Sequence, residues 1–342
     1  MSEDPGRPDV AFGRAGAPSG RAGAAFLAAV EAELGGLGPR DLRAPASALS
    51  RRYRSASQPG STQARGSAER QAYLATRAPA TFAAVRRVMQ EVASLRPGWA
   101  PQTVLDLGAG PGTATWAAAE VFGPAGRSVL VELDRDMAAI GARLAAGSPA
   151  APAAELEWTI GDVAGHGLPE SELVVAAYVL GELGGERELP ALERWWSATR
   201  DELVVIEPGT PAGFERLRRA RTVLISSGAH VTAPCPHDAD CPMEGSDWCH
   251  FSVRLERSVL HRDLKEARLG YEDEKYSYLS VSRSGTRAAA VRLVRSPRLH
   301  KGHVRVVTCE IGGIKERVVS RRDGDLYKRA RAARWGDRLD PD

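Results

Sequence analysis

Three of the four cysteines in this 342-residue chain fall within CPHDADCPMEGSDWCH, residues 235–250. Their spacing is Cys235-x5-Cys241-x7-Cys249, and Cys309 follows after 59 further residues. A loop rich in Pro, Asp and Gly offers thiols no apolar burial, so metal ligation is the chemistry this spacing suggests. Four thiolates suit a [4Fe-4S] cluster and equally an all-cysteine zinc site. His237 and His250 lie in the same stretch, and imidazole suits zinc well. Tight C-x2-C pairs of the zinc-ribbon kind are absent. Proline follows both Cys235 and Cys241, removing a competing N–H and stiffening the loop beside each sulfur. Cys309 sits in VRVVTC, an alternating, strand-like run. If it completes the set, the metal clamps the C-terminal tail to the body and its binding energy becomes folding energy.

A second constellation is Asp106-Leu-Gly108-Ala-Gly110-Pro-Gly112, between an apolar run and a helical pattern. Glycines there let the chain turn sharply and let a ligand approach without a Cβ in the way. The dinucleotide fingerprint G-x-G-x-x-G would need glycine where the chain has Thr113. The spacing resembles the first motif of class I S-adenosylmethionine-dependent methyltransferases. Glu132, twenty residues past Gly112, stands where that family places a carboxylate for the ribose hydroxyls. Asp162 stands where its acid contacts the adenine amino group. The expected cofactor site is therefore Asp106, Gly108, Gly110, Gly112, Glu132 and Asp162. Catalytic residues are not identified: AAYVLGEL, residues 176–183, holds no Asn/Asp-Pro-Pro-aromatic box and no nucleophilic cysteine. Tyr178, Glu182 and the rim Glu207-Pro208-Gly209 are candidates for the substrate side, with core packing as their simpler explanation.

These groups need a frame. Strand-like and helical patterns alternate from Thr103: VLDLG, TATWAAAEVF, SVLVEL, MAAIGARLAA, strands near Leu156–Ile160 and Leu173–Ala177, a helix at Leu189–Thr199 and a strand at Leu203–Ile206. That rhythm predicts an α/β fold with a mostly parallel, Rossmann-like sheet covered by helices on both faces. Ligands bind such sheets at the carboxyl ends of the strands, where the glycine loop falls. Ahead of it, residues 1–22 are expected to be disordered and residues 23–100 to form a helical region. That region holds helices at Gly23–Leu37 and Ala68–Leu95, the second kinked or divided at Pro79. LSRRYRSASQPGSTQARG, from Leu49, reads as a linker or extended arm. Residues 101–295 would form the sheet domain, with the cysteine-rich insertion at 230–252 between a helix at Gly213–Ser227 and a strand at 275–283. Residues 296–342 would be a small β-containing extension.

That extension is basic. Arg287 to Asp342 carries fifteen Lys/Arg against seven Asp/Glu, whereas the whole chain is only +3. A basic tail on a mildly acidic body suits a polyanion, most often nucleic acid. Arg295-Ser-Pro-Arg298-Leu-His300-Lys301-Gly-His303 suits phosphate contacts, and Tyr327 and Trp335 are candidates to stack on bases. No helix-turn-helix or finger pattern points to DNA. No run of ~18 apolar residues predicts a membrane span, and the acidic, Pro/Gly-rich start lacks signal-peptide features. The expectation is a cytoplasmic protein.

Taken together, EPGTP, CPH…CP…DWCHF, YEDEKYSYL, PRLHKGHV and WGD resemble the methyltransferase-like assembly factors of the mitochondrial small ribosomal subunit and their bacterial relatives. The likeness covers roughly residues 45 to 337. It implies a class I methyltransferase domain, a [4Fe-4S] cluster on Cys235, Cys241, Cys249 and Cys309, and a role on small-subunit ribosomal RNA or the assembling small subunit. Two functional classes follow: an RNA methyltransferase, or a non-catalytic assembly factor that binds rRNA through its basic extension.

Overall fold

The computed structural model describes residues 20–55, 64, 66–148, 150–265, 268–285 and 291–339. Most of the segment expected to be disordered, residues 1–19, lies outside the described residues. Helix α1 (Arg21–Glu33) begins the described chain and α2 (Pro39–Ser55) follows. The expected arm after Leu49 is thus helical as far as Ser55; residues 56–63 and 65 lie outside the described set. Leu42, Ala46 and Leu49 recur on one face and are buried, which outweighs the Arg and Ser between them. The Ala68–Leu95 pattern divides at the expected proline into α3 (Gly66–Thr76) and α4 (Ala78–Leu95). Pro79 stands in the first turn of α4, where no N–H partner is lost.

Next comes the alternation that builds the sheet. Its elements are β1 (Thr103–Leu107), α5 (Thr113–Phe122), β2 (Ala125–Glu132), α6 (Arg135–Ala146), β3 (Ala153–Ile160), β4 (Ser171–Ala177), α7 (Leu180–Leu183), α8 (Gly185–Ala198), β5 (Thr199–Pro208) and α9 (Pro211–Ser226). After these come β6 (His230–Ala233), β7 (Phe251–Glu256), α10 (Val259–Leu264) and β8 (Tyr271–Ser282). The order across the sheet is β3-β2-β1-β4-β5-β8-β6, with β7 also on β8. Strands β3 to β5 are parallel, and β8 joins β5 antiparallel.

Period-two burial sends neighbouring residues to opposite faces. Val104, Leu173, Val175, Val204 and Ile206 pack towards α1, α4 and α5, where Phe26 stacks on Phe82 with ring centroids 5.4 Å apart. Leu105, Leu107, Val174, Ala176, Leu203 and Val205 pack towards α8 and α9 around the buried Trp195. The N-terminal helices therefore share one core with the sheet.

Strand β8 explains where the cysteine segment sits. One of its edges lies on β5; the other is shared by β7, against Tyr271 to Tyr276, and β6, against Ser280 to Ser282. Residues 234–250 link two strands that occupy one edge in succession. A second sheet contains β9 (Val291–Leu293), β10 (Arg298–His300), β11 (His303–Glu310) and β12 (Gly313–Ser320), all antiparallel. Helix α11 (Gly324–Ala332) covers it, packing Ala330 with Leu293, Val304, Val306 and Val319.

Candidate functional site

Strand order reverses between β1 and its neighbours β2 and β4, and a pocket of about 170 Å³ opens at their carboxyl ends. Gly108, Gly110, Glu132, Asp162, Tyr73 and Tyr178 are among its walls. Gly108 has φ 65°, and a Cβ there would stand 2.5 Å from Val179 Cγ2. Only glycine fits that bend. The Gly108 and Ala109 N–H groups donate to the Val131 carbonyl, at 2.9 and 3.1 Å, tying the loop to β2.

Glu132 closes the same loop. Its carboxylate accepts the Gly110 N–H at 2.7 Å on one oxygen and the Asp134 N–H at 2.8 Å on the other. Burial raises its pKa above the ordinary carboxylate value. Each oxygen keeps a second lone pair for a ligand hydroxyl. Asp162 stands across the pocket, ion-paired with Arg187 and accepting the Ala164 N–H at 2.9 Å, both of which lower its pKa.

Asp106 and Gly112 are placed differently. Asp106 is buried behind the loop, where Oδ2 accepts the Thr115 N–H at 3.0 Å and hydroxyl at 2.8 Å. Burial pushes its pKa up to about 6. It anchors the first turn of α5. Gly112 caps that helix with φ 82° and packs beside Leu130 and Trp158.

Arg70 and Tyr73 escaped the sequence reading as site residues, and the backbone strain at Tyr178, a candidate for the substrate side, was not foreseen. Arg70 of α3 makes a two-pronged contact with Asp134, at 2.7 and 3.0 Å, and so docks the N-terminal helices on the rim. This places Tyr73 over the glycine loop, where burial pushes its pKa up to about 12. Tyr178 has φ 63°, a left-handed conformation that costs a bulky residue energy. Its hydroxyl donates to Glu274 at 3.2 Å, and Glu274 is held by Arg77. The only local signal for any of these was the position of Tyr178 just after β4.

All four cysteines line one cavity of about 50 Å³, although Cys309 comes from the other sheet. Ordinary protein contacts aim them. Arg221 of α9 donates to the carbonyls of His237 and Ala239, each at 2.7 Å, and fixes the Cys235–Cys241 loop. Ser277 of β8 donates to the Cys249 carbonyl at 2.8 Å. Arg292, 2% exposed, donates to the carbonyls of Pro234 and Gly336 at 2.8 and 2.9 Å and to Glu91 at 2.9 Å.

Burial raises the pKa of Cys241, Cys249 and Cys309, the last to about 12, and the neighbouring sulfurs push the same way. Burial and neighbouring sulfurs thus disfavour the thiolate at Cys241, Cys249 and Cys309; a cationic centre reverses that preference. His237 also lines the cavity, with its buried Nε2 lacking a partner, whereas His250 packs between Trp248 and Trp335 outside it. Among the described residues, no three His, Cys, Asp or Glu side chains are grouped so as to hold a single metal ion. The geometry thus establishes a four-thiol cavity; the metal-binding role expected of the insertion is a separate matter.

A family model described as "Mitochondrial small ribosomal subunit Rsm22" matches residues 67–340. The human ribosome assembly protein METTL17, mitochondrial, is 29% identical over 293 residues, covering 78% of this chain and 61% of that protein. Rsm22-cox11 tandem protein 2, mitochondrial, of Schizosaccharomyces pombe is 27% identical over 213 residues, covering 48% of this chain and 28% of that protein. The chain thus spans less than two thirds of the length of these relatives. Among solved structures, a putative RNA methyltransferase from Pyrococcus horikoshii aligns with TM-score 0.39 at 18% identity, over 58% of this chain and 83% of that one. Magnesium protoporphyrin IX methyltransferase from Synechocystis PCC 6803, with bound S-adenosylmethionine, aligns with TM-score 0.40 at 13% identity, over 60% and 80%. Likeness at that level adds nothing to the reading of the site. The cytoplasmic expectation is corrected by these findings, because the family and the relatives are described as mitochondrial. The matched span contains the glycine loop, both acids of the pocket wall and all four cysteines, and the chain belongs to the Rsm22 family of the mitochondrial small ribosomal subunit.

Proposed function

We propose that this protein is a small-ribosomal-subunit assembly factor built on a methyltransferase fold, which binds S-adenosylmethionine at the glycine loop and small-subunit ribosomal RNA through its basic C-terminal part. Family membership over residues 67–340 is the observation that carries this reading. Support for the cofactor comes from the pocket itself. Glu132 presents two partly engaged carboxylate oxygens beside a loop that lets a ligand approach its backbone, and Asp162 faces it from the end of β3. Asp106 and Gly112 act from behind, holding α5 and the loop in place.

We read Cys235, Cys241, Cys249 and Cys309, which line one cavity, as the ligands of a [4Fe-4S] cluster, because four thiolates are the usual complement of such a cluster. When bound, the cluster supplies a covalent cross-link between the β6–β7 connection and β11. The chain's own residues orient that connection: Arg221 holds its first turn, Ser277 its last, and Arg292 of β9 ties its start, at Pro234, to the second sheet.

One observation favours methyl transfer over passive binding. Tyr178 keeps a costly backbone conformation on the pocket wall, and such strain clusters at sites of chemistry. The target would be small-subunit RNA.

Calorimetry on the full chain tests the pocket. Glu132→Ala is expected to weaken S-adenosylmethionine binding by roughly tenfold or more, the worth of a hydrogen bond to a charged group. Undiminished affinity in a variant with unchanged circular dichroism contradicts the site.

A further inference from the structure

A further cleft lies neither in the glycine-loop pocket nor at the cysteines. It has a volume of about 480 Å³ and opens where the two sheets meet. Lys275 of β8 stands on one wall; Arg295, Arg298 and Arg305 stand on the other. One carboxylate, Glu316, lines it and lies 3.9 Å from Arg305, while Asp247 pairs with Arg295 at the edge. Lys275 and Arg298 are exposed, and among the described residues neither has an ion-pair partner. Among the described residues, the cleft therefore carries a positive surplus.

The aromatic rings of His250 and Trp335 line it. Trp248, His250 and Trp335 form a row, with ring centroids 5.3 Å apart in the first pair and 4.6 Å in the second. Arg295 lies over the Trp335 ring, 5.4 Å from its centroid. The Trp335 Nε1 is buried with no partner.

Flexible cations along a groove lined by aromatic rings describe how proteins take single-stranded nucleic acid. Phosphates are neutralised along the walls while a base stacks on the aromatic platform. An A-form duplex presents its phosphates outward and its bases stacked inside, so it cannot offer a free base to that platform. The volume is in the range that accommodates a nucleotide-sized ligand.

We propose that this cleft is the single-stranded RNA site, with backbone phosphates on Lys275, Arg298 and Arg305 and one base against Trp335 and His250. It rests on the reading that the protein binds small-subunit RNA, and it narrows that reading from a basic tail to a groove shared by both sheets. The walls come from both sheets, Lys275 on β8 and Arg298 and Arg305 on β10 and β11, so neither sheet holds the site by itself.

The test is equilibrium binding of the full-length protein to a fluorescein-labelled single-stranded RNA dodecamer, at several salt concentrations. A duplex of the same length and isolated small subunits are measured in parallel. Lys275→Glu and Arg298→Glu are expected each to weaken single-strand binding at least tenfold. Each should also reduce the slope of log affinity against log salt by about 0.7, the value for one single-strand phosphate contact. Trp335→Phe should lower affinity several-fold with the slope unchanged. Arg200→Glu, at the start of β5 and absent from the cleft lining, should change nothing. Equal affinity for duplex and single strand, or unchanged slopes in the two cleft variants, would overturn the proposal. Small-subunit binding that survives in both cleft variants, with no dodecamer binding by the wild type, overturns the cleft but leaves the ribosomal reading intact. Wild-type protein that binds neither small subunits nor RNA defeats the underlying reading as well.

Discussion

At the scale of single residues, the pocket separates carboxylates by what surrounds them. Glu132 and Asp162 face the cavity, whereas Glu207 is buried beside it at the end of β5. Glu207 accepts the Gly181 N–H and Arg216, each at 3.3 Å, yet burial holds its pKa up at about 7. The folded state therefore keeps a proton that the unfolded chain loses near pH 4.5. A raised carboxyl stabilises the fold below the unfolded value, and that contribution disappears as pH rises through the folded one. Glu207→Gln removes the dependence. Urea titrations from pH 4.5 to 7.5 should show wild-type stability falling relative to the variant, by an amount on the order of 3 kcal/mol. A constant difference across that range would show that Glu207 ionises normally. The sequence made Gly108, Gly110, Glu132 and Asp162 legible because strand ends and glycines leave a local signature. It left Arg70, Tyr73 and Arg187 hidden, since each reaches the pocket through tertiary packing. Asp106 was legible as a residue but not in its orientation, which depends on Thr115 nine positions later.

At the scale of elements, charge misleads where it is paired. The sequence suggested a strand only from residue 275, but β8 begins at Tyr271. Glu272, Asp273 and Glu274 are each held by an arginine, Arg257, Arg254 and Arg77 respectively, so the acidic run is compatible with a central strand. Helix α8 starts at Gly185, four residues ahead of its apolar pattern, because Glu186 and Glu188 suit a first turn, and Pro190 lies inside the helix. The cysteine segment was legible as a loop, while its seat between β6 and β7 on one edge of β8 required the register. If Cys309 belongs to the cluster, Cys309→Ser should lower iron and acid-labile sulfide in anaerobically purified protein. It should also speed proteolysis after β9. Full iron content with a protease-resistant tail would detach Cys309 from the site. Arg292 keeps the two sheets joined in either case, so the variant should remain folded.

At the scale of the whole molecule, the chain is a parallel sheet whose cofactor pocket lies at one place, with a basic sheet attached at its antiparallel margin. The β6–β7 connection carries three of the thiols and the second sheet carries the fourth, so the cysteine cavity is the joint between them. The cleft opens beside that joint, with Cys249 next to His250 and Arg295 next to Val294. One joint thereby positions the cations of the cleft relative to the glycine-loop pocket. The account's central claim is that this assembly engages the small ribosomal subunit. The most direct measurement is co-sedimentation of the full chain with ribosomal subunits from cells depleted of the protein, at low and at high salt. The account predicts co-migration with immature small subunits at low salt, release at high salt, and no association with large subunits. Equal sedimentation with both subunits, or with neither, would contradict it.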